Sequence, residues 1–237
     1  MNLASNFVLL IPTYNPPEGW EVNLFERYKM FRDSVKNDFI VVLINDGSKV
    51  DIDLGVKFLK EKMGESFHYL TYENNLGKGG ALKYGASSIL AKNYIFTDID
   101  LPYSIESMQN VWNTMLQTEG IVTGHRALDY YTDLSPLRTF LSKGLKALNK
   151  MILNLPVNDT QCGLKAFDKD VRDLLIQCKT DRFLIDLELL LATNKAGYKI
   201  TPVKVELRKD IIFSTFNSSV LLKEIHNFIK LVWKYRL

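Results

Sequence analysis

Residues 93–102 read Asn-Tyr-Ile-Phe-Thr-Asp-Ile-Asp-Leu-Pro, a short apolar strand that runs into two aspartates. Asn93 to Phe96 form the strand, and Asp98 and Asp100 follow it two residues apart. Side chains two apart in an extended segment point the same way, so both carboxylates are expected on one side of the chain. Two anions converging at the carboxyl end of an inner strand are costly unless a cation lies between them. A hard divalent ion meets that need, because Mg²⁺ binds through one or two carboxylates plus substrate phosphates. Asp98 and Asp100 are therefore the candidate metal ligands, with Mg²⁺ or Mn²⁺ as the expected cofactor.

On either side of this strand the chain alternates between apolar runs and amphipathic segments. Residues 7–11, 39–44, 67–72, 94–96 and 121–124 are runs bounded by turn residues, as expected of strands buried on both faces of a parallel sheet. Residues 22–36, 51–63, 79–91 and 104–117 carry apolar side chains at helical spacing. The alternation predicts an α/β fold with a mostly parallel central sheet and flanking helices. In such folds ligands bind at the carboxyl ends of the strands, where the polar clusters of this chain also fall.

The second half reads differently. Residues 137–153 suit a basic amphipathic helix. A polar turn at 159–163 precedes a short segment at 164–167, a helix is expected over 183–196, and a late strand over 199–207. Residues 218–235 are amphipathic, with Leu221, Leu222, Ile225, Phe228, Ile229 and Val232 on one side. No Gly/Ser/Pro linker or internal repeat interrupts the chain, so a single domain over 1–237 is expected. Within it, 1–120 reads as a nucleotide-binding half, 121–210 as an acceptor half and 211–237 as a C-terminal amphipathic helix.

Composition narrows the function class. The chain has 237 residues, 46% hydrophobic and 24% charged, which suits a folded domain with a sizeable core. A net charge of +3 gives no argument for nucleic acid as a partner. Cys162 and Cys178 make no disulfide framework, which fits a reducing compartment. The apolar run within residues 1–12 is short and lacks a basic leader, so it reads as a first strand rather than a signal peptide. No apolar run reaches about 18 residues, so no membrane-spanning helix is expected.

Three further clusters follow the early strands. Pro12-Thr13-Tyr14-Asn15 offers an aromatic platform and an amide. Asn45-Asp46-Gly47-Ser48 offers a carboxylate in a tight turn, suited to a base or ribose. Asn74-Asn75-Leu76-Gly77-Lys78-Gly79-Gly80-Ala81 is glycine-rich and opens a helix, where backbone can approach an anion and Lys78 adds a point charge. It has neither P-loop nor GxGxxG spacing. Together with Asp98 and Asp100 these clusters converge on nucleotide-diphosphate chemistry.

With these segments in view the chain resembles the family 2 glycosyltransferases of GT-A fold. It is most like the polyprenyl-phosphate hexosyltransferases, such as dolichyl-phosphate mannose and glucose synthases. The resemblance rests on IPTYN at 11–15, NDGS at 45–48, NNLGKGGALKYG at 74–85, TDID at 97–100, TGHR at 123–126 and DTQCGLKAF at 159–167. It implies that Pro12, Tyr14, Asn15 and Asp46 line the nucleoside and that Lys78 lies near the nucleotide. It implies that Asp98 faces the sugar or ribose and, with Asp100, the metal–diphosphate. Arg126, Arg138 and Ser142 would take the acceptor phosphate. Asp159, Gln161 and Gly163 would close the sugar site, and Arg208 would supply a further acceptor contact. The chain departs from the family at Asn45, where an aspartate is usual. Pro16-Pro17 replaces an acidic residue, and Pro102 stands where some relatives carry a glutamine.

The resemblance implies inverting transfer of a hexose from a UDP- or GDP-linked sugar to polyprenyl phosphate, in the biosynthesis of cell-envelope glycans. A cytoplasmic protein peripheral to the inner face of the membrane fits that reaction. The basic amphipathic segments at 137–153 and at the C-terminus suit contact with an anionic surface. An ionised phosphate needs no general base. If the acceptor is instead a sugar hydroxyl, Asp159 is the candidate base. A nucleotide-binding module without transferase activity would use the same donor residues.

Overall fold

The computed structural model describes residues 6–126, 155–157, 159–210, 228, 231 and 233–235. The expected helix at 137–153, with Arg138 and Ser142, lies outside the described residues, as does most of 211–237.

The chain order is β1 (Phe7–Thr13), α1 (Trp20–Val35), β2 (Ile40–Asp46), α2 (Asp53–Met63), β3 (Phe67–Tyr72), α3 (Lys78–Ser88), β4 (Asn93–Phe96) and α4 (Ile105–Gln117). It continues with β5 (Ile121–Arg126), β6 (Lys165–Asp168), α5 (Lys169–Gln177), α6 (Ile185–Lys195) and β7 (Ile200–Val205). The strands form one seven-stranded sheet ordered β3-β2-β1-β4-β6-β5-β7. Alternate residues of β1 enter opposite layers, as pleating requires. Phe7, Leu9 and Ile11 pack under α1, α2 and α4 with Leu24, Leu59 and Trp112. Val8 and Leu10 pack under α3, α5 and α6 with Leu82, Val171 and Leu189. With apolar cover on both faces, the inner strands have no polar side to show, hence their continuous apolar runs.

Two elements differ from the sequence expectation. Helix α5 was not expected. It starts where the Asp168 carboxylate accepts from the N–H groups of Asp170 and Val171, an N-cap that satisfies otherwise orphaned donors. Strand β6 runs antiparallel to both neighbours while the remaining pairings are parallel. Its reversal matters for function. Lys165, the first residue of β6, pairs with Phe96, the last of β4. The turn at 159–164 is therefore carried to the same sheet edge as Asp98, and the end of β5 with Arg126 reaches it as well.

The described part of the C-terminal segment packs on the protein. Phe228 and Leu231 are buried against Leu184, Leu187 and Leu191 of the α6 region, while Trp233 is 67% exposed. Among the described residues no helix is long and apolar enough to cross a membrane.

Candidate active site

Strand β4 ends at Phe96, so Asp98 and Asp100 do not lie in an extended segment as their spacing suggests. The Leu101 N–H donates to the Asp98 carbonyl at 3.0 Å, closing a turn, and Leu101 has a φ of +42°. That left-handed conformation strains a branched side chain and is offset by complete burial of Leu101. The turn, rather than strand pleating, brings the two carboxylates together. The Asp100 carboxyl is pushed above the usual carboxylate range by burial and then by the charge of Asp98. Among the described residues no group of three or more His, Cys, Asp or Glu is arranged to hold a metal. Two crowded carboxylates of hard oxygen character fit a divalent cation that draws its remaining ligands from phosphate or water.

Lys78, at the first position of α3, does not stand alone as an anion contact. Its Nζ lies 3.1 Å from Asp98 Oδ1 and 3.3 Å from Asp186 Oδ2. Burial alone would lower the pKa of this ammonium, but the two carboxylates outweigh it and hold it raised. Asp186, near the start of α6, is buried and meets a second cation, with Lys165 Nζ 2.6 Å from its Oδ1. Burial favours the neutral form of Asp186, yet Lys165 and Lys78 together hold its pKa below the usual range. Lys165 also donates to the carbonyls of Cys162 at 2.6 Å and Thr160 at 3.3 Å. A chain of alternating charge thus runs Lys165–Asp186–Lys78–Asp98. Sequence reasoning passed over Asp186. The available signal was an acid within the Leu-rich stretch Ile185–Lys195, which reads on its face as a first-turn helix charge.

The glycines of the loop also have a packing task. A Cβ at Gly77 would come within 2.6 Å of the Asp181 carbonyl, and one at Gly79 within 2.6 Å of the Thr180 carbonyl. These glycines admit the 180–181 backbone, with the Gly80 N–H donating to the Asp181 carbonyl at 3.0 Å. At Gly163 the closeness is to the site itself, since a Cβ there would meet Asp98 Oδ2 at 2.6 Å.

Asp46, expected at the nucleoside, is 3% exposed and turned toward the glycine loop. Its carboxylate accepts from Tyr72 Oη at 2.7 Å, Asn75 Nδ2 at 2.8 Å, and the N–H groups of Leu76 at 2.7 Å and Gly77 at 2.8 Å. Asn45 is similarly engaged, its amide donating to Tyr69 and Thr71 and its oxygen capping Ser48. Asn15 binds the next loop, its Oδ1 accepting from the Lys49 N–H at 2.6 Å. Tyr14 beside it is 45% exposed, and Pro12 is partly exposed in β1.

Arg126 and Asp159 pair with each other. Arg126 Nε donates to Asp159 Oδ2 at 2.7 Å and a terminal nitrogen to Oδ1 at 2.8 Å, a bidentate fork. Burial opposes the Arg126 charge, but Asp159 outweighs it and holds the guanidinium charged. Gln161 Nε2 is buried without a hydrogen-bond partner among the described residues. Arg208 follows β7, with its N–H donating to the Pro102 carbonyl at 2.9 Å and its guanidinium 3.5 Å from Asp210.

The family model for glycosyl transferase family 2 matches residues 8–175. The chain is 27% identical to dolichyl-phosphate beta-glucosyltransferase ALG5A of Trichomonas vaginalis, over 96% of this chain and 75% of that protein. It is 26% identical to dolichyl-phosphate beta-glucosyltransferase of Dictyostelium discoideum, over 83% of this chain and 64% of that protein. The solved mannosyl-3-phosphoglycerate synthase from Rubrobacter xylanophilus superposes with a TM-score of 0.70 at 12% identity, covering 97% of this chain and 73% of that one. A mannosyltransferase from Pyrobaculum calidifontis, solved with GDP-Man and Mn²⁺, superposes with a TM-score of 0.55 at 16% identity, covering 84% of this chain and 55% of that one. At these identities the solved structures establish a shared GT-A fold.

Proposed function

The chain belongs to glycosyl transferase family 2, and on that premise we propose that it moves a hexose from a nucleoside-diphosphate sugar to a polyprenyl phosphate, inverting the anomeric carbon. Support for the donor comes from Asp98, Asp100 and Lys78 gathered at the carboxyl end of β4. Asp98 and Asp100 would hold Mg²⁺ or Mn²⁺, which when bound neutralises charge on the leaving diphosphate. Lys78 would add a second positive charge beside it. Pro12, Tyr14 and Asn15 would border the nucleoside, with Asp46 acting on it indirectly by fixing the glycine loop.

The observation that carries the acceptor reading is the Arg126–Asp159 fork. A carboxylate neutralised by a guanidinium is a weaker base than a free one. Both Asp159 oxygens accept from Arg126, which suits an acceptor that arrives already ionised. A phosphate oxygen of the acceptor would attack the anomeric carbon while the bond to the diphosphate oxygen breaks. Little is then asked of the protein beyond positioning and charge. Arg126, Gln161 and Arg208, with Arg138 and Ser142 from the segment outside the described residues, would orient that phosphate. The exposed Trp233 beside Lys234 suits a peripheral position on the cytoplasmic face of a membrane.

The reading is tested with dolichyl phosphate in vesicles, radiolabelled UDP-glucose or GDP-mannose, and Mn²⁺. Label is expected in an organic-extractable lipid. Binding of either donor without transfer to lipid would make the chain a nucleotide-binding module. Label found only in a water-soluble glycan would make its acceptor a hydroxyl.

A further inference from the structure

The donor reading leaves Asp186 unused, although it is a deeply buried charge at the site. Its side chain is 4% exposed, and its two oxygens each hold a different lysine. Replacing a buried ion cluster of this kind by apolar residues of similar volume is often neutral for stability. The fold alone therefore gives little reason for it.

The geometry gives a better reason. Lys78 begins α3 and reaches Asp98 at the end of β4. Lys165 begins β6 and fixes the Thr160 and Cys162 carbonyls in the turn that ends at Gly163. Gly163 in turn borders Asp98 and Lys78, as an added Cβ would lie 2.6 Å from the Asp98 carboxylate and 3.4 Å from Lys78 Nζ. The two ammonium groups flank the Phe96 ring, 5.6 and 5.7 Å from its centroid. One carboxylate thus sets the register of three separate pieces of the site. It also gives Lys78 a second anchor, so that its bond to Asp98 can be exchanged without the ammonium leaving the site.

We propose that Asp186 is a positioning residue for donor binding, which holds the Lys78 ammonium where it can pass from Asp98 to the incoming diphosphate and aligns the 159–163 turn with it through Lys165. This rests on the donor reading above. Without Asp186, Lys78 has Asp98 as its one carboxylate and closes on it. Metal and diphosphate must then break that pair to enter.

The test compares wild type, Asp186→Asn and Lys165→Met/Asp186→Asn, measuring melting temperature and the Kd for UDP-glucose and GDP-mannose in Mn²⁺ by calorimetry. Asp186→Asn strands the buried Lys165 ammonium without a counter-ion and should melt at lower temperature. The double variant removes the stranded charge and should regain part of that loss, although the Thr160 and Cys162 carbonyls lose their donor. Donor affinity should fall by about tenfold in both, the scale of one displaced charge-assisted contact. Recovery of affinity together with melting temperature would make Asp186 a structural residue only and overturn the proposal. So would an Asp186→Asn affinity within about twofold of wild type, less than one such contact supplies. Should Asp186→Asn not fold, the double variant alone decides, by the same affinity criterion. If wild type binds neither donor, the donor reading itself fails, and this proposal with it.

Discussion

Helix α6 carries two buried carboxylates two residues apart, and they serve opposite sides of the helix. Asp186 faces the candidate active site, where its partners are two lysine side chains from distant segments. Glu188 faces away. It accepts from the N–H groups of Lys179 and Thr180, from Lys234 at 2.6 Å and from Tyr235 at 3.3 Å. Backbone amides are fixed partners, so Glu188 ties a loop and the C-terminal segment to the core. Lysine ammonium groups on long stems are exchangeable partners, so the Asp186 side of the helix can rearrange around a ligand. Burial and formal charge are alike in the two places; what separates them is that Glu188 also holds backbone amides, whereas the partners of Asp186 are side chains.

Two changes break or sharpen this contrast. The larger effect is expected at the mobile side, from Asp100→Asn. Removing one of two metal-facing charges should cut transfer by about a thousandfold or more, as loss of a principal electrostatic contact does in other enzymes. The melting temperature should hold or rise, because burial and Asp98 already disfavour the Asp100 charge. Transfer unaffected by both this substitution and EDTA would remove the metal from the account.

At the fixed side, Glu188→Gln should act on stability rather than on chemistry. Burial raises the Glu188 carboxyl, but Lys234, Thr180 and the 179–180 amides bring it down to about 2, against an ordinary 4.5. A depressed carboxyl contributes stability that is complete above its unfolded value and is lost as pH falls through the folded one. Wild type should therefore lose melting temperature between about pH 4.5 and pH 2, and Glu188→Gln should lack that part of the fall. Its transfer rate at neutral pH should stay within about threefold of wild type, since no reacting atom lies near. Parallel melting curves for the two proteins would show that Glu188 is not held as described.

Much of this architecture is legible in the sequence, and the boundary has a physical cause. Strands β1, β2 and β4 are read from apolar runs because burial on both faces leaves no alternation to misread. Helix α5 escapes because it is nine residues long, although Val171, Leu174 and Leu175 stand at helical spacing behind the Asp168 cap. The reversed strand β6 escapes because it is four residues long and opens on a fully buried lysine. At the site, the packing shows tasks that the motifs do not spell out. Gly77 and Gly79 admit the 180–181 backbone. The Asp46 carboxylate holds the glycine loop. Such tasks depend on segments far apart in sequence, which spacing within a motif does not encode.

The central claim is that the acceptor reaches the site already ionised, and the residue that decides it is Asp159. The direct measurement is transfer of labelled hexose to dolichyl phosphate by Asp159→Asn, with donor Kd measured in parallel. An asparagine keeps an acceptor for Arg126 and cannot act as a base. The account predicts transfer within about tenfold of wild type, the loss that imperfect orientation of one contact brings. A fall of a thousandfold or more with donor affinity unchanged would contradict it, and would make Asp159 the base for a hydroxyl acceptor.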